Sequence, residues 1–171
     1  MKALRILILS FVAVITSFGV NGQIAGLDCN PRIKVMSFNI RHSGGDDGDN
    51  SWAHRKEAVL EMIRSTNPDL IGLQEVLPDQ FAFLKENFPA YQIYGLGRDG
   101  DNKGERMAIM VKNERFHMIA CNTFWLSETP QWVSRGWDAA CNRTVTWAYL
   151  RDNSSGKYIG FYNTHFDHEG E

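Results

Sequence analysis

Three apolar runs in this chain each close on a polar residue: Val35-Met36-Ser37-Phe38-Asn39, Leu70-Ile71-Gly72-Leu73-Gln74-Glu75, and Tyr158 to Asn163-Thr164-His165. Runs this short and this apolar read as buried strands. Helical periodicity separates the first two: Val59, Leu60, Met62, Ile63 and Thr66 lie on one face of a helix predicted over Trp52 to Ser65. Ser51 is its candidate N-cap, and Asn67-Pro68 ends it because proline disfavours helix at the residue before it. A second helix is expected after Pro78, with Phe81, Leu84 and Phe88 at helical spacing. Further strands are expected at Tyr91 to Tyr94, Met107 to Lys112 and Phe116 to Leu126. Arg143 to Leu150 and Lys157 to His165 should pair as a hairpin. Strands alternating with helices constrain the chain to an α/β fold, and polar residues that close strands collect at one sheet edge, where α/β proteins bind ligands.

The remaining features set limits. The chain has 171 residues, 43% hydrophobic and 22% charged, which excludes a disordered chain. A formal net charge of -2 argues against binding to nucleic acid by bulk charge alone. Residues 1–22 have the layout of a secretory signal peptide: Lys2 and Arg5, an apolar run from Ile6 to Phe18, then a site for cleavage after Gly22. An uncleaved anchor and a lipoprotein modified at Cys29 are the alternatives. A secreted or periplasmic location is the expectation, with residues 23–31 as a linker and 32–171 as one domain. In an oxidising compartment Cys121 and Cys141 are the disulfide to test, leaving Cys29 over. No Cys-x-x-Cys occurs, so nothing points to zinc. Trp132 and Trp137, in the long segment before Arg143, either cover the core or touch a base, a sugar or lipid.

Asn39, Glu75 and His165 are the candidate site. A carboxylate and a carboxamide are hard oxygen donors, suited to Mg²⁺, or to Mn²⁺ or Ca²⁺. A histidine beside them can donate to a phosphoryl oxygen or move a proton. Each residue alone is equally consistent with a strand-end side chain bonded to its own backbone; the three together are the signal.

The strings SFNIR, LIGLQEV, KGERMAIMV and NTHFDH, in this order, resemble the endonuclease/exonuclease/phosphatase superfamily, with the DNase I-like fold. NIRHSGGDDGDNSWAHRK, FWLSETP and GWDAACNRTVTWAYL are similar to a secreted bacterial subgroup. The resemblance spans residues 32 to 171 and implies a four-layer αββα sandwich. It also implies that Glu75 ligates the divalent cation and that Asn39 orients the metal or a phosphate oxygen. By the same resemblance His165 contacts the scissile phosphate, Glu105 holds the His165 ring through a carboxylate–imidazole hydrogen bond, and Arg143 reaches a phosphate oxygen. Asp167 and His168 complete the wording without an assigned role. The implied activity is hydrolysis of a phosphate ester of a nucleic acid, a lipid head group or a small molecule, with no obligate protein partner evident.

The superfamily's Gly-Asp-Phe-Asn and Ser-Asp-His strings, which supply the water-orienting aspartate and a second histidine, do not occur. The expectation is therefore that the chain holds the first half to two-thirds of the fold. On that expectation the face of the first sheet that packs on the second is left bare, and the isolated chain is unstable and inactive. The alternative from another class is a non-catalytic extracellular module that binds metal and phosphate.

Overall fold

The computed structural model describes residues 32–169 and the short strand β1 (Val14–Ile15). The signal-peptide and linker expectations, apart from that strand, lie outside the described residues. The remaining elements are β2 (Val35–Asn39), α1 (Trp52–Thr66), β3 (Leu70–Gln74), α2 (Pro78–Asn87), β4 (Tyr91–Tyr94), β5 (Ile109–Lys112), β6 (Phe116–Trp125), β7 (Thr144–Asp152) and β8 (Tyr158–Thr164). They form two four-stranded sheets, ordered β2-β3-β5-β4 and β1-β8-β7-β6. Among the described strands β2 and β3 alone pair in parallel, joined through α1.

Alternation along the central strands sorts side chains into two cores. Ile71, Leu73, Ala108 and Met110 face the helices and pack with Val59, Leu60, Ile63, Leu84 and Phe88. Leu70, Ile109 and Val111 face the other way, onto Phe116, Ala148, Leu150 and Phe161 of the second sheet. With every residue buried, β3 lies between helices and sheet. The described layers are thus helix, sheet, sheet: three of the four expected. The expectation that the inter-sheet face is bare is corrected, because β6, β7 and β8 already cover it. The last hairpin is buried on one face only. Tyr149, Tyr158 and Tyr162 are exposed on its outer side, where Tyr149 and Tyr158 stack with ring centroids 5.5 Å apart.

Local details follow from the sequence with small departures. Ser51 occupies the α1 N-cap position, but its side chain makes no capping bond. Asn67 closes the helix in a left-handed conformation (φ 47°), its N–H donating to the Ile63 carbonyl. Met62, expected on the apolar face, is exposed. At the start of α2, Pro78 is followed by Gln80, whose Oε1 accepts the backbone N–H of Leu77 at 2.9 Å.

The expected disulfide is also corrected: Cys121 and Cys141 are free thiols. The ladder sets Cys121 opposite Ala148, seven residues along the chain from Cys141. Cys141 precedes β7, whose first residue Thr144 pairs with Trp125, four residues beyond Cys121 on β6, whereas a disulfide needs Cα atoms within about 7 Å.

Candidate active site

Two buried amides bolt the sheets together directly behind the candidate site. Asn163 on β8 donates from Nδ2 to the carbonyls of Leu73 and Ala108, both at 2.8 Å. Its Oδ1 accepts Gln74 Nε2 at 2.7 Å. All of this fits because residue 72 is glycine: a Cβ there would sit 2.7 Å from Asn163 Oδ1. The bolt fixes the register of β8 against β3. Glu75 is one residue beyond Gln74, and His165 is two beyond Asn163, so the bolt also sets where these side chains meet.

Asn39, Glu75 and His165 do meet. Asn39 Nδ2 donates to Glu75 Oε1 at 2.7 Å and lies 3.3 Å from His165 Nε2. Glu75 Oε1 is 3.9 Å from the same ring nitrogen. The chain reaches this arrangement by leaving β3 through a left-handed residue, Glu75 itself (φ 63°). That backbone is unfavourable for a side chain with a Cβ and carries it out of the strand alternation. Glu75 Oε2 accepts the backbone N–H of His42 at 3.1 Å. Burial alone would raise the Glu75 carboxyl. The hydrogen bonds from Asn39 and His42, with the nearby His165 and His42 rings, outweigh it and hold the group below the usual carboxylate range.

The segment carrying Arg41 and His42 is held from two helices. Arg55 on α1 donates to the carbonyls of Ile40, Arg41 (2.6 Å), His42 (3.4 Å) and Asn50 (2.9 Å). Gln80 on α2, fully buried, donates to the Arg41 carbonyl at 2.9 Å and accepts from Ser43 N at 3.2 Å. Arg41 pairs with Asp47 at 3.0 Å, and its Nη1 stands 4.0 Å from Glu75 Oε2. None of Arg41, Arg55, Gln80, Gln74 or Asn163 was singled out from the sequence. Gly72, an isolated glycine inside an apolar strand, was the available sign of a close approach.

Two expected roles meet a different geometry. Glu105 does not hold the His165 ring: its Oε2 takes Arg98 Nη1 at 3.0 Å, closing the loop between them. Arg143 is buried, and its three guanidinium nitrogens are engaged. Nε donates to Asp167 Oδ1 at 2.9 Å, Nη1 lies 3.2 Å from His165 Nδ1, and Nη2 lies 3.0 Å from His168 Nδ1. Arg143 therefore orients His165 from behind.

The hydrogen-bond partners of the His165 ring accommodate either neutral tautomer. Its Nδ1 lies 3.1 Å from the Phe166 carbonyl, which only accepts, and 3.2 Å from Arg143 Nη1, which only donates. A proton on Nδ1 serves Phe166 and leaves Nε2 to accept from Asn39. A proton on Nε2 lets Arg143 donate to Nδ1 and points the Nε2–H toward Glu75. Either way, one ring atom faces the cluster and the other is anchored.

As a cation site, the donors are few but of the right kind. Each Glu75 oxygen takes one hydrogen bond, which leaves acceptor capacity on both. Among the described residues no group of three or more His, Cys, Asp or Glu side chains is placed to hold a metal ion. Asn39 turns Nδ2 into the cluster and its Oδ1 takes the Arg41 N–H at 2.9 Å. Glu75 is therefore the oxygen donor that faces the cluster, which suits a hard cation that keeps most of its waters, as Mg²⁺ does, and suits poorly an ion needing a full protein cage.

Comparison with known proteins identifies the family. Residues 36–153 match the family model described as Endonuclease/Exonuclease/phosphatase family. A family protein from Bacteroides vulgatus is 40% identical with a TM-score of 0.77, over 81% of this chain and 54% of its own. A mannosyl-6-phosphatase from Bacteroides thetaiotaomicron is 35% identical with a TM-score of 0.78, over 82% of this chain and 54% of its own. The tyrosyl-DNA phosphodiesterase 2 of Bos taurus is 35% identical over 81 residues, 47% of this chain and 21% of its own length. The chain thus spans about half the length of the solved structures it matches. With the strand-tip cluster, the two-sheet architecture and the family model in agreement, the chain belongs to the endonuclease/exonuclease/phosphatase family.

Proposed function

We propose that Asn39, Glu75 and His165 form the metal- and phosphoryl-binding half of a divalent-metal-dependent phosphoesterase. The observation that carries this reading is the meeting of a carboxamide, a carboxylate and an imidazole within 4 Å where β2 and β3 of one sheet end beside β8 of the other. The reaction is hydrolysis: water adds to phosphorus, the ester P–O bond breaks, and the leaving alcohol takes a proton. A bound Mg²⁺ would offset the phosphoryl charge. Glu75 would hold the cation through the oxygen capacity left free by its two hydrogen bonds. Asn39 orients the Glu75 carboxylate and lies beside the ring that meets the phosphoryl group. His165 presents Nε2 to a phosphoryl oxygen, its far nitrogen anchored by Phe166 or Arg143. A positioned donor of this kind stabilises charge as it develops.

The mannosyl-6-phosphatase relative supports a small phosphate monoester, and the net charge of -2 favours that over a polyanionic strand. A secreted location, from the signal-peptide layout, is part of the same proposal. The chain is proposed to bind cation and phosphate without turnover, since among the described residues Glu75 is the one carboxylate bonded within the Asn39–His165 cluster.

Isothermal titration with Mg²⁺ and inorganic phosphate, alongside an assay of phosphate release from mono- and diesters, tests the proposal. Binding by the wild type that weakens at least about tenfold in Glu75→Gln is the expected result. Equal binding by both, or none by either, overturns the metal–phosphoryl assignment. Phosphate release by the chain overturns the no-turnover part and leaves the assignment standing.

A further inference from the structure

The segment between β6 and β7 holds two tryptophans outside the core. Trp132 is 68% exposed and Trp137 is 74% exposed. Both are mostly exposed, although rings of this size normally bury most of their surface. The segment itself is tightly built. Leu126 N donates to the Arg143 carbonyl at 2.8 Å and closes it into a compact loop. Inside, Ser134 Oγ accepts from Thr129 Oγ1, donates to the Trp132 carbonyl at 2.8 Å with the Thr129 carbonyl at 3.1 Å, and meets Ser127 Oγ at 2.6 Å. Gly136 is required because a Cβ there would run into the Leu126 carbonyl. At its far end Asn142 reaches Arg98 and Asp99. The loop therefore pays its ordering cost before any ligand arrives.

Two observations single out Trp137. Its backbone is left-handed (φ 45°), an outlier for a bulky residue, in a turn that Ala139 N closes on the Gly136 carbonyl at 3.1 Å. The next residue after that turn, Ala140, donates to Asp167 Oδ2 at 3.2 Å, and Asp167 is the anchor of Arg143 behind His165. Trp137 is three residues from Ala140, so their Cα atoms are at most about 11 Å apart. A strained, solvent-exposed indole is thus carried on a turn tied to Asp167, two residues from His165.

We propose that Trp137 is the stacking subsite for the leaving group, and that this group is the ring of a sugar phosphomonoester. The inference rests on the phosphoryl-binding reading above. A sugar ring offers an apolar C–H face to an indole and hydroxyls to water, and an ester to one of its hydroxyls places the phosphate a few bonds away. The charge of the loop favours this occupant. Residues 126–142 carry Glu128 and Asp138 against Arg135, so the rim has no basic excess to draw a nucleic acid strand or an anionic membrane.

The test compares binding of inorganic phosphate, glucose 6-phosphate and a nucleoside 5′-monophosphate, each with Mg²⁺, to the wild type, Trp137→Ala and Trp137→Gly. Glycine accepts the left-handed backbone, so Trp137→Gly removes the ring while relieving the turn. The expected result is that glucose 6-phosphate binds the wild type about tenfold more tightly than phosphate does. Both variants lose that advantage, keep their affinity for phosphate, and Trp137→Gly melts no lower than the wild type. If phosphate binds and the sugar ester gains nothing from Trp137, the subsite is overturned and the phosphoryl reading survives. If the nucleotide alone gains from Trp137, the sugar assignment is overturned. If no phosphate species binds, both readings fall together.

Discussion

Removing the Asn163 amide should cost more stability than any other single polar truncation in the described chain. Its three hydrogen bonds, at 2.7, 2.8 and 2.8 Å, are all buried and all cross between the sheets. At a net worth of about 1 kcal/mol each, Asn163→Ala forfeits about 3 kcal/mol. The Gln74 amide loses its shortest bond but keeps the Gly72 carbonyl at 3.2 Å and Ser37 Oγ at 3.4 Å, so it adds little to the cost. About 3 kcal/mol is a large share of the ~5–15 kcal/mol that holds a domain together. Urea unfolding followed by tryptophan fluorescence reads it directly. With a slope of about 2 kcal/mol per molar, the midpoint should fall by about 1.5 M. Adding Gln74→Leu to Asn163→Ala should cost less than Gln74→Leu costs in the wild type, because its partner is gone. A midpoint shift below about 0.5 M would refute the argument, since the inter-sheet bolt would then contribute no more than a surface contact.

Arg55→Ala should loosen the segment from Ile40 to Asn50 by taking a donor from four carbonyls, of which only that of Arg41 keeps Gln80, and weaken Mg²⁺ and phosphate binding at Glu75. Amide exchange at Arg41 to Ser43 should speed up at least about tenfold, and unchanged protection there contradicts the bracing role. Asp152 predicts a pH dependence. Burial alone would raise its carboxyl, but Ser155, Ser154 N and Arg115 bond it and hold it below the ordinary aspartate value of about 3.9. A depressed folded value means the contribution is present above about pH 3.9 and is lost as pH falls through the folded value. The acid limb of stability below about pH 5 should therefore be shallower in Asp152→Asn, and an identical limb contradicts the assignment.

Much of the fold was legible because its elements announce themselves locally. The run Leu70 to Gln74 is apolar on both faces, as a strand between two cores must be, and α1 and α2 carry helical periodicity with proline at a boundary. The meeting of Asn39, Glu75 and His165 was legible because each closes a strand. What escaped was set by tertiary packing. Met62 sits at core spacing but on the solvent side, since α1 turns a narrower stripe to the sheet than its composition suggests. The Cys121–Cys141 pair was read from oxidation chemistry alone, and strand register separates the two. Glu105 was assigned to His165 by resemblance, yet Arg98 lies on the same loop and closes on it first. The buried amides Gln74 and Asn163 carry no periodic signal, and only Gly72 hinted at a neighbour crowding that strand.

The central claim is that Glu75, braced by Asn39 and facing His165, grips a hard divalent cation. The most direct measurement is a crystal structure of the full chain soaked in Mn²⁺ and inorganic phosphate, with data collected at the manganese absorption edge. The account predicts one strong anomalous peak in bonding contact with the Glu75 carboxylate, with phosphate between it and His165. A peak elsewhere, or phosphate bound away from His165 with no metal at Glu75, would contradict it.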